Sequence, residues 1–174
     1  MAATRFLGKM EQGSTMQIDS RFPPYPDSNE ESWDKVIEFI QEHPGKDYDY
    51  WRDYQNFLLP LLRAAIEAGY HHHFRAGGSM SDTVFSTVDR PLEVFTPKPP
   101  RVTLRVTPEK KYAAYSHASI QFFDPERTEP MIAQNAFSVL TRYLADLWRE
   151  SKPSEPLPDC LEKALTSQPQ REEE

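Results

Sequence analysis

The chain has a single cysteine, Cys160, among 174 residues. No intramolecular disulfide can form, so the fold must hold by core packing, and a reducing compartment is the natural setting. A long apolar run is also missing. The opening stretch MAATRFLGKMEQGSTMQ carries no apolar segment of signal-peptide length. Nothing approaches the roughly 18 consecutive apolar residues of a membrane helix. The expected setting is therefore cytoplasmic. A basic excess is lacking too: 20 Lys and Arg stand against 27 Asp and Glu, a formal net charge of −7. That field disfavours general nucleic-acid binding through phosphate neutralisation. Internal repeats are absent.

The chemistry-bearing motifs show similar gaps. The only Gly-Gly pair, Gly77-Gly78, is followed by neither the lysine of a nucleotide phosphate loop nor the spacing of a dinucleotide fingerprint. There is no Gly-x-Ser-x-Gly turn of the kind that presents a hydrolase nucleophile. No enzyme class is indicated by a specific motif.

What is present is architecture. The 16 prolines exceed the usual level of about 5%. They cluster at 23–26, 91–100 and 153–158 and divide the chain between patterned segments. Residues 1–27 are expected to be an extended or disordered arm, 28–166 one α+β domain, and 167–174 a disordered acidic tail. Residues 28–43 read as a helix: Ser28 and Glu31 have capping-box spacing, and Trp33, Val36, Ile37 and Ile40 make an apolar stripe. Residues 47–68 read as a longer helix, interrupted by Pro60 and stopped by Gly69. Strands are expected at 70–76, 83–88, 101–107 and 112–123. In the third of these, Val102, Leu104 and Val106 alternate with Thr103, Arg105 and Thr107. A third helix is expected over 129–149, with Ile132 on its apolar face, and a short one over 159–166 capped by Asp159. The order α-α-β-β-β-β-α-α predicts an antiparallel sheet of about four strands. Two long helices should cover one face and leave the other open to water.

The densest chemistry lies in Tyr70-His-His-His-Phe-Arg-Ala-Gly-Gly-Ser-Met-Ser-Asp82. On a strand, His71 and His73 share a face. Together with His117 they could ligate zinc or another divalent transition metal. The plainer alternative is a solvated strand face. Arg75, Gly77, Gly78 and Ser79 could form an anion-binding nest, against the plainer reading of a wide turn with glycines at positive φ. Ser79 or Ser81 with His117 and Asp82 could also compose a hydrolase triad, although nothing in the spacing supports it. Arg101, Arg105, Lys110 and Lys111 make one basic patch, expected on a solvated strand face. A further candidate is Asp47-Tyr-Asp-Tyr-Trp-Arg-Asp-Tyr54. Tyrosine and tryptophan dominate interface hot spots, and carboxylates around them steer a basic partner. Trp51 and Tyr54 fit the core stripe, which leaves Tyr48, Tyr50, Asp47, Asp49 and Asp53 as the surface candidates. The function expected from these features is a small acidic binding or regulatory protein without catalysis and without a cofactor, contacting a basic protein. The rival is a small metal- or anion-dependent enzyme or ligand-binding module built on residues 70–88 and His117.

Overall fold

A computed structural model describes residues 26–42, 49–78, 82–89, 97–117 and 125–167, and leaves the side chains of Asp49 and Tyr50 outside that description. The arm up to residue 25, the proline-rich link at 90–96 and the tail from 168 lie outside the described residues.

Helix α1 spans Asn29–Glu42. Its start forms as the capping spacing requires. The Glu31 amide donates to Ser28 Oγ at 3.0 Å, and the Asp27 amide donates to the Glu31 carboxylate at 2.7 Å. Trp33, Val36 and Ile40 are buried, and Trp33 Nε1 donates to the Phe74 carbonyl at 2.7 Å. Helix α2 spans Asp49–Glu67 and runs on through Pro60. Pro60 is exposed, while Leu58, Leu61, Leu62 and Ala65 on either side are buried. Packing of that face outweighs the one backbone bond that proline removes. Gly69 then ends α2 at φ 89°, in the left-handed region that favours glycine.

The chain does not enter a strand at Tyr70, contrary to the alternation in the sequence. Tyr70–His72 is a turn of 3-10 helix. The amides of His72 and His73 donate to the carbonyls of Gly69 and Tyr70. Tyr70 is fully buried, its hydroxyl lies 2.7 Å from Thr141 Oγ1, and its ring stacks on Phe137. Anchoring that ring between elements coils the backbone locally.

Five strands follow: β1 Arg75–Gly78, β2 Asp82–Ser86, β3 Arg101–Val106, β4 Lys111–Ser116 and β5 Arg127–Pro130. They pair antiparallel in chain order. The fold is α+β, with one more strand than expected. Strand β5 escapes sequence reading because Arg-Thr-Glu-Pro has no apolar alternation, and a proline is tolerated on an edge strand. Its residues displace the start of the next helix: α3 is Ala136–Ser151. Ile132, expected on the apolar face of α3, precedes it and is 59% exposed. Helix α4 is Asp159–Thr166, with Pro158 rather than Asp159 at its N-cap and no side-chain capping bond.

Residues directly opposed in the register share a face. One face carries Phe85 opposite Val102 and, across β3, Tyr115; its next row is Thr83, Leu104 and Ala113. Helix α1 packs on β1 and α3 on β3 and β4, with α2 laid against α1 and α3. Leu104, Leu61, Leu62, Leu140, Leu144 and Leu147 belong to one buried cluster. The other face is not wholly open to water: Arg75, Ser86, Arg101, Thr103 and Ser116 are buried, while Thr128 and Pro130 on the β5 edge are exposed. A buried polar group must be hydrogen-bonded, and Arg101 Nε donates to Ser116 Oγ at 3.3 Å.

Leu104 lies at the centre of β3, fully buried and opposite the small Ala113. Leu104→Ala should cost about 2–5 kcal/mol, because little nearby can fill the cavity. Urea denaturation should show a lower midpoint with an unchanged slope.

Candidate functional site

The histidine run is placed by Gly69 and Tyr70. Because residues 70–72 form a 3-10 turn, His71 and His73 do not share a strand face. The His71 and His72 rings meet at a tilt of 37° with centroids 3.9 Å apart, and His72 Nδ1 lies 2.9 Å from a Glu30 oxygen. That bond holds the Glu30 carboxyl below the usual carboxylate range. His73 meets the ring of Trp148 edge-on, with centroids 5.6 Å apart. Burial pushes the proton affinities of His71 and His73 down, so both favour the neutral imidazole. Among the described residues no three His, Cys, Asp or Glu side chains converge on a metal position. The set His71, His73 and His117 is therefore not brought together.

The glycine hairpin is also reorganised. Gly77 and Gly78 are strand residues, opposite Val84 and Thr83. Neither has the positive φ of a turn glycine, which among the described residues is found at Gly69. Arg75 lies on the buried polar face, and its guanidinium donates to the Pro26 carbonyl at 2.5 Å. Ser79 and Ser81 lie outside the described residues. Asp82 is held by Arg105 through two bonds, from Nε at 2.7 Å and from the terminal nitrogen at 2.6 Å. Such a bidentate pair fixes both side chains, and the Asp82 carboxylate holds the Arg105 guanidinium above its ordinary proton affinity. Asp82 sits opposite Arg105, which sits opposite Tyr112 near the start of β4. His117 lies just past the far end of that strand. The five steps from Tyr112 to His117 span about 17 Å of extended chain. Asp82 and His117 therefore cannot form one triad. Of the basic patch, Arg101 is buried rather than solvated. Lys111 lies over the Phe57 ring, and Lys110 over the Tyr112 ring.

The structure assembles a different cluster around His117. Its Nδ1 lies 2.5 Å from a Glu126 oxygen and its Nε2 lies 2.7 Å from a Glu150 oxygen. The other Glu150 oxygen accepts the Tyr115 hydroxyl at 2.5 Å. Beside it, the Arg127 guanidinium covers the rings of Tyr115 and Tyr143 and bonds Asp146 at 2.7 Å. The cluster joins the end of β4, the start of β5 and the last turns of α3. Both imidazole nitrogens face carboxylate oxygens, an arrangement that favours the doubly protonated ring. The bond to Glu126 pushes the proton affinity of His117 up and that of Glu126 down. Glu126 and Glu150 could not be found from sequence. They lie 9 and 33 residues from His117, in segments with no local periodic link to it.

Of the aromatic-acidic candidates, Asp47 and Tyr48 lie outside the described residues, and Asp49 and Tyr50 are in the first turn of α2 with undescribed side chains. Asp53 is exposed, whereas Trp51 and Tyr54 are buried and stack at 4.9 Å. Beside this segment, α1 presents Glu30, Asp34, Glu38 and Glu42 to solvent. Their spacing of four residues makes one stripe along the helix. Compared with protein-family models, curated proteins and solved structures, the chain matches none.

The His117 cluster sets a pH dependence. His117 has a raised proton affinity in the folded state, so its contribution is complete below the unfolded value of about 6.5 and fades as pH rises through the folded one. Glu126 works in the opposite direction: its contribution is present above about 4.3 and is lost as pH falls through its depressed folded value. Solvent screening keeps both effects small, because the side chains are 39% and 54% exposed. The stability advantage of the native protein over His117→Gln should therefore be largest between about pH 4.5 and 6.5 and shrink at higher pH. Urea midpoints of the two proteins across that range measure it.

Proposed function

We propose that this chain is a small acidic binding or regulatory protein without catalysis, and that it contacts a basic protein partner. The contact surface is the outer face of α1 together with the aromatic-acidic segment Asp47, Tyr48, Asp49, Tyr50 and Asp53. The observation that carries this reading is the carboxylate stripe Glu30, Asp34, Glu38 and Glu42, exposed along one helix face. Like charges four residues apart destabilise a helix. Asp34, Glu38 and Glu42 therefore do nothing for folding, which α1 draws from Trp33, Val36 and Ile40, whereas Glu30 holds His72. Among the described residues Asp34, Glu38 and Glu42 make no ion pair, whereas Lys35 is taken by Glu31 at 2.8 Å. Helices α1 and α2 are joined by a bond of 2.6 Å from Gln55 Nε2 to the Ile40 carbonyl. Tyrosines among these acids would supply the apolar anchors, and the carboxylates would steer the partner.

The test is capture of a partner from native extract, followed by kinetics with the purified pair. Tyr50→Ala or Tyr48→Ala should weaken binding by about 2 kcal/mol or more, as hot-spot truncations do. Asp34→Asn with Glu38→Gln should mainly slow association, with the difference vanishing at high salt. A captured partner whose affinity and salt dependence ignore all four substitutions would remove this surface from the proposal.

A further inference from the structure

The hydrophobic core reaches solvent in a groove of about 940 Å³ between α3, α4 and the turn after α2. That size falls within the range of about 300–1,000 Å³ usual for small-molecule sites. One wall is a helical stripe of α4: Cys160, Lys163, Ala164 and Ser167 recur at intervals of three, one and three. Gly69, which lies beside Cys160, and His72 and His73 also line it, with an aromatic floor of Phe137 and Trp148. The segment Pro156-Leu157-Pro158 closes one end. It is held in place because Trp148 Nε1 donates to the Pro156 carbonyl at 2.9 Å. Phe137, Leu157, Cys160 and Ala164 are partly buried members of the core, so the groove offers continuous apolar surface.

Its polar groups are unevenly engaged. Glu155 is paired with Lys152 at 3.3 Å, and that ammonium in turn lies 4.6 Å from the centre of the Trp148 ring. Asp159 stands in the first turn of α4, where the positive helix end favours a carboxylate. Lys163, one turn further along, makes no ion pair among the described residues. The ring nitrogens of His73 have no hydrogen-bond partner among them either. A neutral imidazole can donate one bond to an anion here. The groove therefore joins an apolar floor to one uncommitted cation and one uncommitted donor.

We propose that this groove binds an apolar monocarboxylic acid, with the hydrocarbon along Phe137, Trp148 and Leu157 and the carboxylate on Lys163, assisted by His73. The site adjoins the acidic surface of α1 at His72, which bonds Glu30, and its occupancy does not depend on a protein partner. The probe is laurate below its micellar concentration, titrated into the full chain by calorimetry with tryptophan fluorescence as a second readout. Dodecylamine, with the same chain and the opposite charge, and acetate, with no chain, are the controls. The expected result is saturable binding of one laurate. Lys163→Gln should weaken it about tenfold, as loss of one charge-assisted contact does. Ala164→Trp, which fills the groove from its half-buried wall, should abolish it while leaving the melting temperature close to native. Both controls should bind at least about tenfold more weakly than laurate, by the same reasoning. The proposal is overturned by absence of saturable binding, by equal binding of dodecylamine, or by laurate affinity unchanged in Lys163→Gln.

Discussion

The arrangement depends on how the chain leaves α2. Gly69 takes a left-handed conformation, and Tyr70 is driven into the core until its hydroxyl meets Thr141 of α3. A hydroxyl buried at 0% exposure needs a partner, so the pairing with Thr141 constrains where α3 can lie. Burial also raises the Tyr70 proton affinity, which keeps it a neutral phenol. From that anchor the chain makes one turn of 3-10 helix and then enters β1. The three consecutive histidines are carried on the outside of this turn, against α1 on one side and Trp148 on the other. Without a disulfide to fix these elements, such buried contacts must supply the specificity of the packing.

The same anchor separates groups that look adjacent in the sequence. His71 and His73 belong to a 3-10 turn and its cap rather than to a strand, Asp82 is occupied by Arg105, and His117 is clasped by two carboxylates at the far end of β4. Asp82 and His117 are thus committed to separate local structures, while the ring nitrogens of His73 keep no hydrogen-bond partner among the described residues. Among the described residues, Asp34, Glu38 and Glu42 remain along the outer face of α1, exposed and without an ion pair. The binding role proposed above rests on those unpaired carboxylates of α1.

Much of the fold was legible in the sequence where local signals are strong. The capping pair Ser28 and Glu31, the stop at Gly69, the alternation in β3 and the span of α4 all rest on interactions within a few residues. The errors fall where tertiary contacts override local pattern. Residues 70–74 have strand-like composition, yet the Gly69 bend and the buried Tyr70 coil them. Strand β5 is polar and short, and exists because β4 offers it a free edge. Ile132 keeps helical spacing with the α3 stripe but lies before the helix, where its amide donates to Asn135 Oδ1. The polar face of the sheet reads as solvated by composition, but its burial is a property of the assembled chain. The His117 cluster was invisible for the same reason, because its members are joined across long sequence separations.

The central claim is that the acidic side of the domain, rather than the histidine stretch, is the working surface. Hydrogen exchange of the free protein and of its complex with a captured native partner tests it most directly. The account predicts slowed exchange along α1 and across residues 47–53 on complex formation, with residues 70–88 unchanged. Protection confined to residues 70–88, with α1 exchanging as in the free protein, would contradict it.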